Sequence, residues 1–184
     1  MKPTRADFIY QNTGSVSIEA SIIFGLLIIL IILIGDIGKA LINQGKMDRL
    51  SYSLVSIIRE TSLHGNTQEI TPENASNLHK ILKNLSSDFL KDSDISLKLE
   101  VMYFSTLNTP KPQKVLVYDF GDSNCETPNK IEENTNLSVQ TSEKKYLTLY
   151  RVTTCMKQKT SFSPIKNLVE KIIKIQSSSI ALGR

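Results

Sequence analysis

The chain has 184 residues, a formal net charge of +4 and two cysteines. Its basic residues are scattered and do not alternate with aromatic side chains, which argues against a nucleic-acid-binding protein. Apart from one long apolar segment near the N-terminus, the length suits a single small domain.

Residues 1–14 are polar, contain Pro3 and show no helical period long enough to pack. We therefore expect a short leader at this end of the chain and no folded domain.

Residues 15–35 are the most apolar part of the chain, and residues 22–34 contain no polar side chain. About 20 such residues in a helix span roughly 30 Å, the thickness of a bilayer's hydrocarbon core. A secretory signal is the alternative, because basic residues precede the segment. The length of the apolar run, the carboxylate of Glu19 at its start and the lack of a small-x-small cleavage site after Gly35 favour a retained anchor.

A stem follows the membrane segment. Apolar residues recur there at spacings of three and four, which is typical of an amphipathic helix; they are Met47, Leu50, Leu54, Ile57 and Ile58. Residues 15–63 could thus form a single helix, although Gly35, Gly38 and Gly45 predict a bend or a loosened turn. An anchor followed by a separate core helix is the alternative.

Residues 64–184 predict a small α+β domain. A second helix begins after the cap residue Thr71 with Pro72 in its first turn, and should end near Asp92. Patterns typical of strands follow, and a short helix is expected between the last two. We expect an antiparallel sheet of about four strands, from residues 95–104, 114–120, 146–156 and 172–182, with the short helix at residues 163–171. The first of these alternates apolar and polar residues like a half-buried strand.

Residues 121–143 are polar and predict a long loop that carries Cys125. A disulfide between Cys125 and Cys155 in an oxidising compartment would tie this loop to the third strand. Two unlinked thiols in a cytosolic domain are the alternative. Because the counts of Lys and Arg on the two sides of the membrane segment do not decide its orientation, the disulfide favours a C-terminal domain outside the cytoplasm.

No constellation of catalytic residues is present. His64 and His79 have no cysteine or carboxylate at metal-binding spacing, and we expect both at turns or on the surface. We therefore predict neither an enzyme nor a cofactor.

A calcium site is the weakest of the candidate sites. Asp122, Asn124 and Glu126 alternate as in calcium loops, but Thr127 stands where such a loop needs glycine. No bidentate glutamate follows at the required distance, so we expect a solvated loop without metal.

The N-terminal third resembles the TadE/TadF family of pilin-like proteins from tight-adherence (Flp) pilus systems. The resemblance rests on Gly14 and the following Ser15, on Glu19 at the fifth position after that glycine, and on residues 35–41, GDIGKAL. The latter are similar to the family's exit from the membrane, with Lys39 where Arg is common. The size of the chain, the late cysteine pair and the C-terminal SSSIALGR favour the TadF branch.

The resemblance implies a minor pseudopilin in the bacterial inner membrane, with a single span and an extracytoplasmic pilin-like domain. A prepilin peptidase would cut between Gly14 and Ser15, and the partners would be other pilins and the assembly platform of the pilus. The role would be pilus assembly, adherence and biofilm formation. An uncleaved, membrane-anchored binding or scaffold module outside the cytoplasm is the alternative.

Glu19 has two interpretations. At the membrane boundary its carboxylate could reach the lipid headgroups. After cleavage, the new α-amino group of Ser15 would lie roughly 6 Å along the helix from Glu19. In a bundle of such helices, the carboxylate of one subunit could then neutralise the ammonium group of a neighbour.

Overall fold

The computed structural model describes residues 5–64, 69–87, 95–105, 111–121, 125–127, 129–157 and 175–183. The helices and strands within these ranges are α1 (Arg5–His64), α2 (Pro72–Ser86), β1 (Ile95–Phe104), β2 (Pro112–Phe120), the 3-10 helix η1 (Ile131–Leu137), β3 (Leu149–Met156) and β4 (Ile175–Leu182). The predicted α+β fold, with a long apolar N-terminal helix and a four-stranded antiparallel sheet, is confirmed.

Helix α1 is one continuous element of 60 residues, about 90 Å long at 1.5 Å per residue. The predicted single helix through membrane segment and stem is confirmed. It remains helical through Gly35, Gly38 and Gly45, so the predicted loosened turn is wrong. The cost of about 1 kcal/mol for each glycine is too small to interrupt a helix that neighbouring residues stabilise on both sides.

Most of the expected leader also belongs to α1, which begins at Arg5. The expected leader without a folded domain stays a prediction. Starting a helix is costly, but extending an existing one gains a hydrogen bond for each added residue. The polar residues before the membrane segment can thus join the helix without an apolar face of their own.

Helix α2 begins at the predicted cap. The Thr71 side chain accepts a hydrogen bond from the backbone N–H of Asn74 at 3.3 Å, and Pro72 occupies the first turn, where its missing N–H costs nothing. The helix ends at Ser86 and does not extend to the predicted end near Asp92, which lies outside the described residues.

Two serines lie at this end of α2. The hydroxyls of Ser86 and Ser87 donate hydrogen bonds to the backbone carbonyls of Lys83 and Asn84, three residues back in each case. Such local bonds also occur within α1, where Ser51 donates to the Asp48 carbonyl, so they do not by themselves end a helix.

The strands form one sheet in the order β2-β1-β3-β4, and each neighbouring pair is antiparallel. The predicted bounds of β1 and its pairing with β2 are confirmed. Strand β3 begins at Leu149, three residues later than predicted, while Tyr146 pairs with Gln140 in an isolated bridge. Strand β4 begins at Ile175; the predicted helix at residues 163–171 and the first predicted residues of the last strand lie outside the described residues.

One face of the sheet packs against both helices. Helix α1 lies mainly across β3 and β4, and α2 lies against β1 and β2. The predicted apolar face of the stem is confirmed, since Met47, Leu54 and Ile58 are fully buried, and Leu50 and Ile57 pack against them. The sheet contributes Leu97, Leu99, Val101, Tyr150 and Val152 to this core.

Serine side chains, in contrast, join α1 to the edge strand β4. The hydroxyl of Ser51 is fully buried and lies 2.8 Å from those of Ser177 and Ser179. Two turns earlier, the Gln44 amide donates a hydrogen bond to the backbone carbonyl of Gln176 at 2.8 Å. These small, hydrogen-bonded side chains allow the helix backbone to approach the strand closely and leave the buried hydroxyls satisfied.

The opposite face of the sheet, the back face, carries a buried ion pair. Arg151 on β3 donates from Nε to the carboxylate of Glu100, its cross-strand neighbour on β1, and each residue is only 4 % exposed. The predicted half-buried pattern of β1 is therefore wrong, because Ser96 is buried on this face as well. Alternating polarity reports the two faces of a strand, but a covered polar face follows the same alternation as an exposed one.

The segment predicted as a long polar loop contains η1, which covers part of the back face. Ile131, the first residue of η1, is buried in a second apolar cluster with Met102, Phe104 and Leu149. A single apolar residue is too weak a pattern to predict a helix in a polar segment. Here it anchors the connection to apolar residues of the back face.

A disulfide between Cys125 and Cys155 fixes the same segment to β3, and this prediction is confirmed. The S–S distance is 2.05 Å and the Cα atoms are 5.7 Å apart. With a sequence separation of 30 residues, chain-entropy estimates give roughly 3 to 4 kcal/mol of stabilisation.

Two tyrosines hold the connection that leads into α2. The backbone N–H of Ile70 donates to the Tyr103 hydroxyl at 2.8 Å, and the Tyr118 hydroxyl donates to the Ile70 carbonyl at 3.0 Å. Burial raises the pKa of Tyr103 to about 12, so this hydroxyl stays protonated throughout the physiological range. The buried backbone of Ile70 is thereby satisfied by side chains of two adjacent strands.

The ion pair on the back face predicts a strong dependence of stability on both partners. Arg151→Met leaves the Glu100 carboxylate buried without its cation, and should lower the free energy of unfolding by about 3 to 5 kcal/mol. The double variant Glu100→Leu/Arg151→Met should recover most of this loss, because neither charge is then buried. Urea unfolding in detergent micelles, monitored by the near-ultraviolet circular dichroism of tyrosine, measures both.

The matched control is Lys114→Met, which removes a partly exposed ion pair with Glu69. Exposed pairs contribute only about 0 to 1 kcal/mol. Equal losses for Arg151→Met and Lys114→Met, or a double variant as unstable as the single one, would contradict a central role for the buried pair.

Candidate assembly site on the N-terminal helix

The N-terminal part of α1 projects from the folded domain as a bare apolar rod. One helix of the described chain, over Val16–Thr61, is long and apolar enough to cross a membrane, and its most apolar window is entirely exposed. Burial against the domain begins at Asp36. The 20 residues before it span about 30 Å, the thickness of a hydrocarbon core, so the chain has a single-pass membrane anchor with the domain at its end.

The predicted processing and pairing residues lie close together on α1. Gly14 and Ser15 are within the helix, and Glu19 follows Ser15 by four residues, about one turn and roughly 6 Å along the axis. The Glu19 side chain is exposed on the projecting rod. After cleavage, the α-amino group of Ser15 and the side chain of Glu19 would therefore be about 6 Å apart along the helix axis.

The motif at the membrane exit marks the start of the domain contact. Asp36 and Ala40 are buried and lie one helical turn apart, on the side of α1 that continues into Met47 and Leu54. Lys39 is exposed and its ammonium group is 4.0 Å from the Asp36 carboxylate. Sequence analysis interpreted Asp36 only as part of the motif at residues 35–41. Its spacing of four from Ala40 indicates that it also belongs to the buried side of α1.

The weak calcium candidate lies mostly outside the described residues. Asp122 and Asn124 lie outside the described residues, and Glu126 is exposed beside the buried Cys125. Among the described residues, no group of three or more His, Cys, Asp or Glu side chains is placed to hold a metal ion.

His79, predicted at a turn or on the surface, is only partly exposed and does not lie at a turn. Its ring lies half-buried on α2 and stacks on Phe120 of β2, with 5.5 Å between the ring centroids. Its Nε2 atom is buried and finds no hydrogen-bond partner among the described residues. Burial, together with the nearby Lys83, lowers the pKa of His79 below its usual value of 6.5, although a hydrogen bond with the Ile95 backbone opposes the shift.

Comparison with known proteins decides the family. The model of the family described as "Putative tight adherence pilin protein F", TadF, matches residues 7–184. The chain belongs to the TadF family. The match extends the resemblance from the N-terminal third to nearly the whole chain and confirms the branch that the cysteine pair and the C-terminal sequence favoured. No curated protein and no solved structure gives a significant match.

Membership of the TadF family connects the chain with a tight-adherence pilus and with the other components of that pilus. Family membership agrees with the structure, because a pilin-like subunit held in the membrane needs a projecting apolar helix and a small α+β domain. The family is one of pilins, which indicates a structural role.

His79 predicts a loss of stability in mild acid. Since its pKa is lower in the folded state, the unfolded chain binds the proton more readily as the pH falls below about 6.5, and folding becomes less favourable there. His79→Phe keeps the stacking on Phe120 but does not titrate. The free energy of unfolding of the parent should therefore fall more steeply between pH 7 and 5 than that of His79→Phe; parallel curves would contradict the prediction.

Proposed function

We propose that this TadF-family chain is a minor pseudopilin that supports assembly of a tight-adherence pilus, and thereby surface adherence and biofilm formation. The observation that carries the proposal is the family match over residues 7–184. It is supported by the exposed apolar part of α1, which is about as long as a bilayer is thick. The rod serves first as a membrane anchor and later as the segment that packs with other pilus subunits.

The proposed orientation places the domain outside the cytoplasm, with α1 in the bacterial inner membrane. The disulfide between Cys125 and Cys155 supports this orientation, because such bonds form and persist in oxidising compartments. Residues 1–14 then lie on the cytoplasmic side as the leader, residues 15–63 form the membrane helix and stem, and residues 64–184 form the extracytoplasmic domain.

We propose that a prepilin peptidase cuts between Gly14 and Ser15. Both residues are helical in the uncleaved chain, so the protease must unwind α1 locally to reach the peptide bond. Glycine is suited to this position because it costs a helix about 1 kcal/mol relative to alanine, and because it leaves the backbone open to close approach.

Gly14→Val should block processing, because a β-branched side chain obstructs the approach to the peptide bond. Intact-mass analysis of the protein from its native cells should show only precursor for the variant and a chain beginning at Ser15 for the parent. Gly25→Val is the matched control, since it changes a glycine of the same helix away from the junction. A mature Gly14→Val chain beginning at Ser15 would refute pilin-type processing, and a parent that is never cut would support the uncleaved anchored module.

We propose that Glu19 pairs with the α-amino group of Ser15 on a neighbouring mature subunit. Both charges would lie within an apolar bundle of helices, where an uncompensated charge typically costs about 3 to 5 kcal/mol. The exposed position of Glu19 on the rod leaves its carboxylate accessible to a neighbouring helix.

Glu19→Leu should enter the membrane at least as well as the parent, because it replaces a carboxylate by an apolar side chain. Surface pili and adherence should nevertheless be strongly reduced when this variant complements a deletion strain. The control is Ser21→Leu, which adds a similar apolar side chain two residues away. Wild-type piliation by a stable, processed Glu19→Leu protein would refute charge pairing, whereas a headgroup-binding carboxylate predicts that result.

A further inference from the structure

Both cysteines of the disulfide are buried in the folded chain. Cys125 is 8 % exposed and Cys155 is 6 % exposed. Thiol–disulfide exchange requires that a thiolate reaches a sulfur atom of the other disulfide. An external oxidant therefore has to react with the chain before the segment that carries Cys125 closes over the sheet.

Cys155 is a poor first point of attack for such an oxidant. It lies in β3, opposite Ser96 of β1 and opposite Gln176 of β4, so its strand is paired on both sides. A protein attached to its sulfur would lie against the back face of the sheet, where Ser96 is also buried. Such an adduct would oppose the packing of the sheet.

Cys125, in contrast, lies outside the four strands, on the segment that follows β2. It also precedes Cys155 by 30 residues. In the proposed orientation, the domain leaves the cytoplasm after its anchor, so Cys125 reaches the oxidising side first. At synthesis rates of about 5 to 20 residues per second, 30 residues take roughly 2 to 6 s. During this interval Cys125 is the only cysteine of the chain outside the cytoplasm.

The fold then brings Cys155 to Cys125. Pairing of β1 with β3 places Cys155 opposite Ser96, and the Cys125 sulfur lies 3.8 Å from the Ser96 carbonyl oxygen. The chain returns to β1 through Gly121, whose φ of +98° favours glycine. A Cβ atom there would lie 2.5 Å from Ser96 Oγ and 2.7 Å from the Ile95 carbonyl oxygen. Gly121 is thus a positioning residue for the disulfide.

We propose that this chain is a substrate of a protein disulfide donor outside the cytoplasm. Cys125 is the thiol that attacks the donor, and Cys155 is the thiol that completes the native bond. This inference goes beyond the proposed function and rests on it for the orientation of the domain.

The exchange has two steps. The Cys125 thiolate attacks the donor's disulfide: a bond forms between Cys125 and one donor sulfur, the donor's own bond breaks, and its other sulfur leaves as a thiolate. The Cys155 thiolate then attacks the Cys125 sulfur, so that the native disulfide forms and the first donor sulfur leaves. Two electrons pass to the donor, whose disulfide becomes a dithiol, and the two thiol protons end on its sulfurs.

Trapping of the mixed disulfide in native cells tests this assignment. Cys155→Ala removes the second thiol, so the chain cannot resolve an adduct between Cys125 and the donor. Cys125→Ala leaves Cys155 alone in β3. After acid quenching and alkylation, non-reducing gels and mass spectrometry should show at least about fivefold more protein adduct for Cys155→Ala, because only this variant keeps the accessible thiol.

Four results would overturn the proposal. They are equal adducts from the two variants, more adduct from Cys125→Ala, a small disulfide such as oxidised glutathione in place of the protein, and no adduct from either variant while the parent is oxidised. Free thiols in the parent would overturn the proposed orientation as well. Normal pili in a strain that lacks this chain, with the adduct still formed by the variant, would refute the proposed function alone.

Gly121→Ala tests the closing step with both cysteines in place. The added Cβ should hold the Cys125 segment away from β1, so that the adduct rises at least about fivefold over the parent and maps to Cys125. Gly45→Ala is the matched control, because its Cβ would meet nothing within 4 Å. An adduct that maps to Cys155, or one as scarce in Gly121→Ala as in Gly45→Ala, would contradict the proposed order of attack.

Discussion

A single helix has to satisfy hydrocarbon, water and a protein core in succession, and the rest of the structure depends on how α1 meets these three environments. The 20 residues before Asp36 can be largely apolar, because the helix itself satisfies their backbone hydrogen-bonding groups. From Asp36 onward, one side of the helix provides the domain with much of its core. The stem lies across β3 and β4 and shares one core with Val152, so the end of the anchor helix is itself part of the fold.

The contacts within the domain are more polar than a small domain needs for stability alone. The Ser51 hydroxyl forms hydrogen bonds with two serines of β4, and Glu100 and Arg151 form an ion pair on the back face. Arg151 also has a buried Nη2 atom without a partner among the described residues, a cost that a purely apolar face would avoid. We interpret these polar contacts as favouring one register of helix and strands over apolar alternatives of similar energy.

The sequence predicts the elements well where one local pattern suffices. The length of the apolar run predicts the membrane segment, and periodicity predicts the stem face and β1. The cap residue Thr71 predicts the start of α2, and the cysteine count predicts the disulfide. It fails where long-range packing decides. Ser96 and Glu100 are buried because the back face is covered. A single residue, Ile131, anchors η1, and His79 is half-buried because it stacks on an aromatic neighbour.

The candidate site was only partly accessible from the sequence. The positions of Gly14, Ser15 and Glu19 along α1 follow from helix geometry, and the roles proposed for them rest on the resemblance to the family.

In the proposed role in a surface pilus, the disulfide has a mechanical consequence. A fibre that holds a cell to a support is under tension, and a domain that unravels lengthens by up to about 3.5 Å for each residue released. The bond between Cys125 and Cys155 closes a segment whose ends are 30 residues apart and 5.7 Å from Cα to Cα. Roughly 100 Å of chain is thus removed from the possible extension, so the domain would yield under load by a much shorter distance before its covalent limit is reached.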